Sequence, residues 1–326
     1  MRAWCITRPG GPEVLKLEQL PDLLPGPEEV LIRVQAAGVN RADLLQRRGD
    51  YPAPPGFDPR IPGLEYAGVV EAAGPRCRLR KPGDAVMGLI GGGAYAEQLL
   101  AHERETIAVP AGLSMTQAAA VPEAFLTAYR ALFLEGGLAH GEWCLIRAVT
   151  SGIGTAAVQL AHVFGSRSIG TSRSAARLGR VQALGLDAAC VDGGEQLVRR
   201  VAEITAGQGV SVVLDLVGGG HLAQNLACLR DDGTQVLVGA MAGREDHLDL
   251  GNFLRRRLTL RAMTMRSLPL ERKIALARLF EQRLTPLFES RKLQPLVDRA
   301  VAFNNAPEAH RCMEAGAHLG KIVIAM

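Results

Sequence analysis

The sequence lacks the groupings that metal and nucleophile chemistry need. Its six cysteines stand at positions 5, 77, 144, 190, 228 and 312, with no C-x-x-C pair. Its seven histidines, at 102, 140, 162, 221, 247, 310 and 318, form no H-x-H and no H-E-x-x-H. Zinc sites are built from such close pairs, so the spacing argues against one. No G-x-S-x-G is present, which removes the usual strand-to-helix serine nucleophile. No uncharged apolar run approaches the roughly 20 residues that cross a bilayer. The opening MRAWCITRPGG is broken by Pro9 and two glycines, unlike a secretory leader. A net charge of +4 over 326 residues is too small to point to nucleic acid, though it suits an anionic ligand. The run Arg255-Arg256-Arg257 precedes a strand-like LTLRAMTM and reads as a solvated turn. These absences predict a soluble, cytoplasmic protein with buried, reduced thiols and no membrane partner.

What is present divides the chain. Up to about residue 120, short β-like runs such as VLIRVQAAGV, YAGVVEAAG, DAVMGL and TIAVP are separated by Gly/Pro turns. That spacing predicts an antiparallel barrel or sandwich. Near 115 the helix-forming MTQAAAVPEAFLTAYRALF intervenes. From 141 strands and helices alternate: WCLIRAV, GTAAVQLAHVFG, SIGTS, SAARLGRVQALG, AACVD, EQLVRRVAEITAG, VSVVLDLVGG, HLAQNLACLRDDG and TQVLVGAM. The seventh reads as a buried strand, the eighth as a helix through residue 233 and the ninth as the next strand. Continuous apolar strands alternating with helices predict a doubly wound parallel sheet. After about 265 come a helix, a strand-like AVAF and a terminal KIVIAM that can return to the first domain. The boundaries are set at 1–122, 123–262 and 263–326.

The stretch AVTSGIGTAA, 148–157, lies between a strand and a helix, where a dinucleotide-binding turn belongs. In the G-x-G-x-x-G register, Val149 and Ser151 fill the first two glycine positions and only Gly154 survives. Val149 is tolerable if its side chain points into the sheet. Ser151 is small and its hydroxyl can bind phosphate, while Gly152 and Gly154 keep the backbone open at a helix N-terminus. A plain βα turn in a ligand-free domain is the competing reading. TSGIG also echoes short-chain dehydrogenases, which need Tyr-x-x-x-Lys. Here Tyr51, Tyr66, Tyr95 and Tyr129 are followed four residues on by Pro55, Val70, Leu99 and Phe133, so that reading fails. At the end of the second strand, IGTSRSAAR has no carboxylate for an NAD ribose. Ser172, Arg173, Ser174 and Arg177 offer donors and positive charge for a 2′-phosphate, which favours NADP(H).

Beyond the loop, PGLEYAGVVEAAG, KPGDAVMGL, GGGAYAEQLLA, AAAVPEAFLTAYRAL, DLVGG and LGKIVI follow one another in an order that resembles the medium-chain dehydrogenase/reductase superfamily along nearly the full chain. The closer resemblance is to its zinc-free quinone oxidoreductase (zeta-crystallin-like) family. NRADLLQRRGDYPAPPG, 40–56, looks like the tumour-suppressor-inducible quinone oxidoreductase branch. The resemblance implies an α/β fold: a GroES-like β-barrel catalytic domain plus a Rossmann doubly wound parallel-sheet domain, with the active site in the cleft between them. In zinc-dependent relatives a ligand cysteine stands where this chain has Asn40, and a ligand histidine where it has Leu64, although Glu65 remains.

The resemblance further implies NADPH-dependent reduction of quinones by hydride or one-electron transfer, without a Lewis acid. An NADPH-dependent 2-enal or enone reductase has the same fold and site. A nucleotide- or RNA-binding protein with little catalysis is the alternative of a different class. Asn40 and Tyr51 are implied at the acceptor pocket, with Asp43 orienting its neighbours or capping the helix after it. Thr127 is implied at the nicotinamide end and Ser151, Gly152, Ile153 and Gly154 at the pyrophosphate. Ser172, Arg173 and Arg177 are expected at the 2′-phosphate, Val238, Gly239 and Ala240 beside the nicotinamide, and Lys321 closing over the cofactor. Two departures stand out. The family usually has a small residue at Val149, and often a tyrosine where this chain has Asp192, whose charge opposes a 2′-phosphate. The family implies a homodimer or homotetramer acting on a small-molecule quinone or unsaturated carbonyl.

Overall fold

The structure, a computed structural model, describes residues 1–191 and 194–326. Asp192 therefore lies outside the described residues. The chain forms two compact units, Met1–Glu123 with Met265–Met326, and Ala124–Thr264. The last segment thus joins the first.

In the first unit a seven-stranded sheet runs in the order Val297–Ala302, Lys321–Ala325, Glu29–Val39, Glu65–Ala73, Ala85–Leu89, Ile107–Ala108, with Gln98–His102 also paired to Glu29–Val39. Every pairing is antiparallel except Val297–Ala302 with Lys321–Ala325. Arg2–Ile6 and Leu15–Gln19 form a separate antiparallel pair. Val30, Ile32, Val34, Tyr66, Val86, Leu99, Ile322 and Ile324 meet in one apolar core. Alternation along the strands puts them on one face.

A short helix, Arg41–Arg48, leaves the end of the longest strand. Its start is fixed by Asp43, whose carboxylate accepts the backbone N–H of Asn40 at 2.8 Å, half of a capping box. Its end is fixed by Gly49 at φ 85°, a left-handed conformation that suits glycine.

The second unit is an all-parallel six-stranded sheet, in the order Ala188–Val191, Arg167–Ser172, Trp143–Ile146, Val210–Asp215, Leu229–Leu237, Thr259–Ala262. Numbered within the unit this is 3-2-1-4-5-6, the doubly wound order that binds dinucleotides at its reversal point. Leu145, Ile169, Val213, Leu197, Val201 and Leu226 build the core on one side.

One expected helix is shorter. The segment read as helical through residue 233 stops at Cys228, and the strand Leu229–Leu237 begins at once. Between the pairs Val210–Leu229 and Val212–Thr234 the register jumps, with Asp232 at φ 59°. Arg256 donates to the carbonyls of Leu226 (2.9 Å) and Leu229, and pairs with Asp231 at 3.0 Å. Arg257 pairs with Asp232 at 2.7 Å. Arg256 and Arg257 of the arginine run thus ion-pair to the bulge, a tertiary contact that local helix propensity does not contain. The helix-forming stretch near 115 also divides, into Met115–Ala118, Pro122–Tyr129 and a π-helical turn Arg130–Glu135.

Candidate functional site

In the second unit, the loop after Trp143–Ile146 is built from backbone geometry. Ala148 takes φ 52°, and the N–H groups of Arg147 and Val149 bond the carbonyls of Leu214 and Thr171 in the strands on either side. Val149 is fully buried, and its side chain lies over Gly170 of the neighbouring strand. A Cβ on Gly170 would stand 2.7 Å from Val149 Cγ2. The glycine missing from the motif is therefore compensated one strand away.

Ser151 caps the helix Gly152–Val163, its Oγ accepting the N–H of Gly154 at 3.1 Å. The hydroxyl keeps its own proton to donate. Gly154 packs so close that a Cβ would meet the Val149 carbonyl oxygen at 2.5 Å, the role of the motif's last glycine. Ser151, Gly152, Ile153 and Gly154 thus form one helix N-terminus.

Other implied cofactor residues lie in the same unit. Ser172 ends the strand Arg167–Ser172, with its Oγ accepting Ser174 N–H at 3.1 Å. Arg173 is exposed and Arg177 partly exposed, on the helix start that follows. Val238, Gly239 and Ala240 follow the strand Leu229–Leu237, with Val238 N–H on the Asp215 carbonyl at 2.8 Å. The buried Asp215 carboxylate, which sequence reasoning did not select, ties this end together. It accepts from Val217 N–H (2.8 Å), Gly218 N–H (3.0 Å), Asn225 (3.1 Å) and Gln235 (2.9 Å). Thr127 is fully buried and its hydroxyl oxygen has no partner. A buried polar atom left unpaired is costly, so this orphan fits a ligand amide or hydroxyl. A capped helix N-terminus, a close glycine approach and an orphan hydroxyl together fit a dinucleotide.

The first unit has a cluster of a different kind, made of side chains. Asn40, Glu65 and Lys321 stand at one end of three adjacent strands, where the ladder pairs Gly38 with Glu65 and Val39 with Ile322. Lys321 Nζ donates to the Val39 carbonyl at 3.0 Å, to Asn40 Oδ1 at 2.6 Å and to Glu65 Oε1. Asn40 Nδ2 donates to the same Glu65 oxygen at 2.8 Å, and Glu65 Oε2 accepts Glu123 N–H at 2.8 Å. Glu65 is wholly buried and Lys321 is 5% exposed.

The three ammonium N–H groups of Lys321 are thus all engaged within the unit. Lys321, expected to close over the cofactor, holds the Asn40 amide and the Glu65 carboxylate through these bonds. Gly38 is needed here, since a Cβ would stand 2.2 Å from Glu65 Oε1.

Asp43 lies beneath this cluster. Besides Asn40 N–H it accepts Gly63 N–H at 3.0 Å and Tyr95 O–H at 3.3 Å. Burial pushes its carboxyl up to about 6, partly offset by the Asn40 N–H, Arg266 and the Gly63 N–H. The chain continues: His310 Nε2–H donates to the Tyr95 oxygen (3.3 Å), and Arg47 donates to His310 Nδ1 (3.0 Å) and to Glu314 (2.5 Å). Burial, then the Arg47 charge, holds His310 down to about 3, so its imidazole is neutral. Asp43, expected to orient its neighbours or cap the helix, bonds Asn40, Gly63 and Tyr95; the Tyr95–His310–Arg47 support behind it was not legible.

Tyr51 is half-buried just after the helix Arg41–Arg48. Burial raises its phenol above the ordinary range, against the pull of Arg266, so at neutral pH it remains an O–H donor. Leu64, where zinc relatives carry histidine, is buried hydrocarbon, and Asn40 offers only an amide already bonded on both its atoms. That donor set does not fit zinc. Among the described residues no three His, Cys, Asp or Glu side chains are grouped to hold a metal. The six cysteines form no disulfide; burial pushes Cys144 and Cys228 up to about 12 and Cys5 to about 11, so these three are not activated thiolates. Among the described residues no helix is long and apolar enough to cross a membrane.

Residues 152–281 match the family model described as zinc-binding dehydrogenase, and residues 26–111 the alcohol dehydrogenase GroES-like domain. Quinone oxidoreductase of Homo sapiens is 32% identical over 243 residues, 74% of this chain and 73% of that protein. A quinone oxidoreductase-like protein 2 homolog of Nematostella vectensis is 35% identical over 220 residues, 67% of this chain, and the chain spans only 60% of its length. Among solved structures, Escherichia coli quinone oxidoreductase complexed with NADPH is 28% identical with a TM-score of 0.89, covering 100% of both chains. JamJ enoyl reductase is 25% identical with a TM-score of 0.89, covering 100% of this chain and 99% of that one.

Proposed function

The chain belongs to the medium-chain dehydrogenase/reductase family, and from that premise we propose that it is a zinc-independent NADPH:quinone oxidoreductase. The observation that carries this reading is the Asn40 cluster. Where a zinc relative has its metal ligands, this chain has an amide held by a buried Lys321–Glu65 pair. Such a cluster offers an oriented hydrogen bond rather than a Lewis acid, which suits an acceptor already electrophilic enough to take a hydride. The likeness to Escherichia coli quinone oxidoreductase complexed with NADPH supports both the acceptor class and the cofactor.

The second unit holds the cofactor in this reading. Ser151, Gly152, Ile153 and Gly154 present N–H groups and a hydroxyl to the pyrophosphate. Thr127 meets the carboxamide end, Val238–Ala240 flank it, and Ser172, Arg173 and Arg177 meet the 2′-phosphate. When bound, the reduced nicotinamide supplies the hydride, or single electrons in turn. The first unit handles the acceptor. Asn40 donates to the acceptor oxygen through the amide N–H that otherwise lies a long 3.4 Å from the Gly38 carbonyl. Tyr51 lines the pocket and keeps its proton available for the oxygen that gains charge.

The test is NADPH oxidation over a panel of ortho-quinones, para-quinones and 2-alkenals. Turnover of quinones is expected; no turnover with any acceptor overturns the reading. The fold shared with JamJ enoyl reductase favours one second reading, reduction of the double bond of a 2-enal or enone, and turnover confined to the alkenals selects it.

A further inference from the structure

We propose that Arg266 is a positioning residue for the acceptor side, strapping down the loop of residues 51–59 and fixing the pose of Tyr51. This rests on the reading above that Tyr51 lines the acceptor pocket. The loop, YPAPPGFDP, contains Pro52, Pro54, Pro55 and Pro59, so it has few N–H groups, and its one internal backbone bond is a long one from Phe57 N–H to the Pro54 carbonyl at 3.4 Å. Its carbonyls need donors from elsewhere, and a buried guanidinium supplies them.

Arg266 is 3% exposed. Its Nη1 donates to the Tyr51 carbonyl at 3.2 Å, at the start of the loop. Its Nη2 donates to Gln46 Oε1, and Gln46 Nε2 donates in turn to the Pro59 carbonyl at 2.8 Å, at the loop's other end. Its Nε donates to the Gly91 carbonyl at 2.6 Å. Gly91 is the floor on which the loop rests, since a Cβ there would meet Phe57 at 2.4 Å and Pro54 at 2.7 Å.

One planar fork therefore joins both ends of the loop to its floor. The guanidinium carbon also lies 5.3 Å from the centre of the Tyr51 ring, so the same group holds the residue's backbone and its ring. An ammonium is a compact point charge and cannot span these separated acceptors. Arg266 is covered by the loop it holds, so it acts on the acceptor through Tyr51 rather than by touch.

The experiment compares Arg266→Met and Arg266→Lys with the parent by hydrogen–deuterium exchange and by steady-state kinetics in which NADPH and acceptor are varied separately. Arg266→Lys keeps the charge and covers the case in which Arg266→Met does not fold. The expected result in either variant is about tenfold faster exchange confined to residues 50–60, with the acceptor KM raised roughly tenfold and the NADPH KM unchanged within about twofold. Exchange unchanged in 50–60, or parent-like kinetics and protection in Arg266→Lys, overturns the strap. So does faster exchange everywhere with both KM values rising together, which is general destabilisation. If the parent turns over no acceptor, the functional reading has failed on its own account, and the exchange measurement still decides the strap.

Discussion

The loop at 148–154 and the cluster around Asn40 solve the same problem, holding polar groups ready, by opposite means. The loop works with backbone N–H groups at a helix start, and its parts lie within seven residues of one another. The cluster works with side chains, and its central pair, Glu65 and Lys321, is separated by 256 residues. The loop is held by backbone bonds to the strands on either side, so its geometry depends little on which side chains it carries beyond its close glycines. The cluster is brittle, because its central pair is buried and each member answers to the others.

The largest break in that comparison is Lys321→Met. It leaves the Glu65 carboxylate buried without its cation, which costs about 3–5 kcal/mol. Urea unfolding should show that loss. NADPH affinity, measured on the folded variant, should stay within about threefold, because the ammonium is engaged within the first unit. A tenfold loss of affinity would return Lys321 to the cofactor.

Acid sharpens the comparison next. His310 has a folded pKa of about 3 against an ordinary 6.5, so its contribution to stability is full above pH 6.5 and is lost as pH falls toward 3. Asp43 has the opposite sign. Raised to about 6 from 3.8, it contributes fully below pH 3.8 and loses that contribution as pH rises through 6. The stability gap between parent and His310→Gln should therefore shrink on acidification. The gap for Asp43→Asn should shrink as pH rises from 4 to 6. Unfolding free energies across that range check both signs.

On the loop side the effects are smaller. Gly170→Ala pushes a methyl against Val149 and should cost about 1–3 kcal/mol. Adding Val149→Ala should recover part of it, and a double-mutant cycle measures the coupling. Smallest of all, Arg173→Gln and Arg177→Gln should each weaken NADPH binding by roughly three- to tenfold and leave NADH unchanged. Fluorescence titration with both cofactors reads this, and equal losses for both would remove these arginines from the 2′-phosphate.

Much of the fold was legible because its signals are local. Apolar strands bounded by glycine announced the parallel sheet, and the strand, turn and helix around 148–157 announced where a helix N-terminus would stand; that Ser151 caps it came from the structure. The misreading at 229–233 is tertiary: Leu229–Leu237 pairs with strands on both sides, and Arg256 and Arg257 reach back to Asp231 and Asp232 across the bulge. At the site, Asn40, Asp43 and Tyr51 sit on one contiguous motif and could be singled out. Glu65 was noticed only as a remnant, and Tyr95, His310 and Arg266 were not singled out at all. No pattern along the chain says that residue 266 will meet residue 46. Glycines were the available hint: Gly38 and Gly91 each sit where a neighbouring side chain leaves no room for a Cβ.

The fit of Val149 over Gly170 also makes one packing unit of two positions on different strands. A Cβ at 170 would stand 2.7 Å from Val149 Cγ2, so a side chain at 170 is cheapest when the residue at 149 shrinks with it. Neither position can be redesigned alone: the bulk removed from one sets the bulk the other can take.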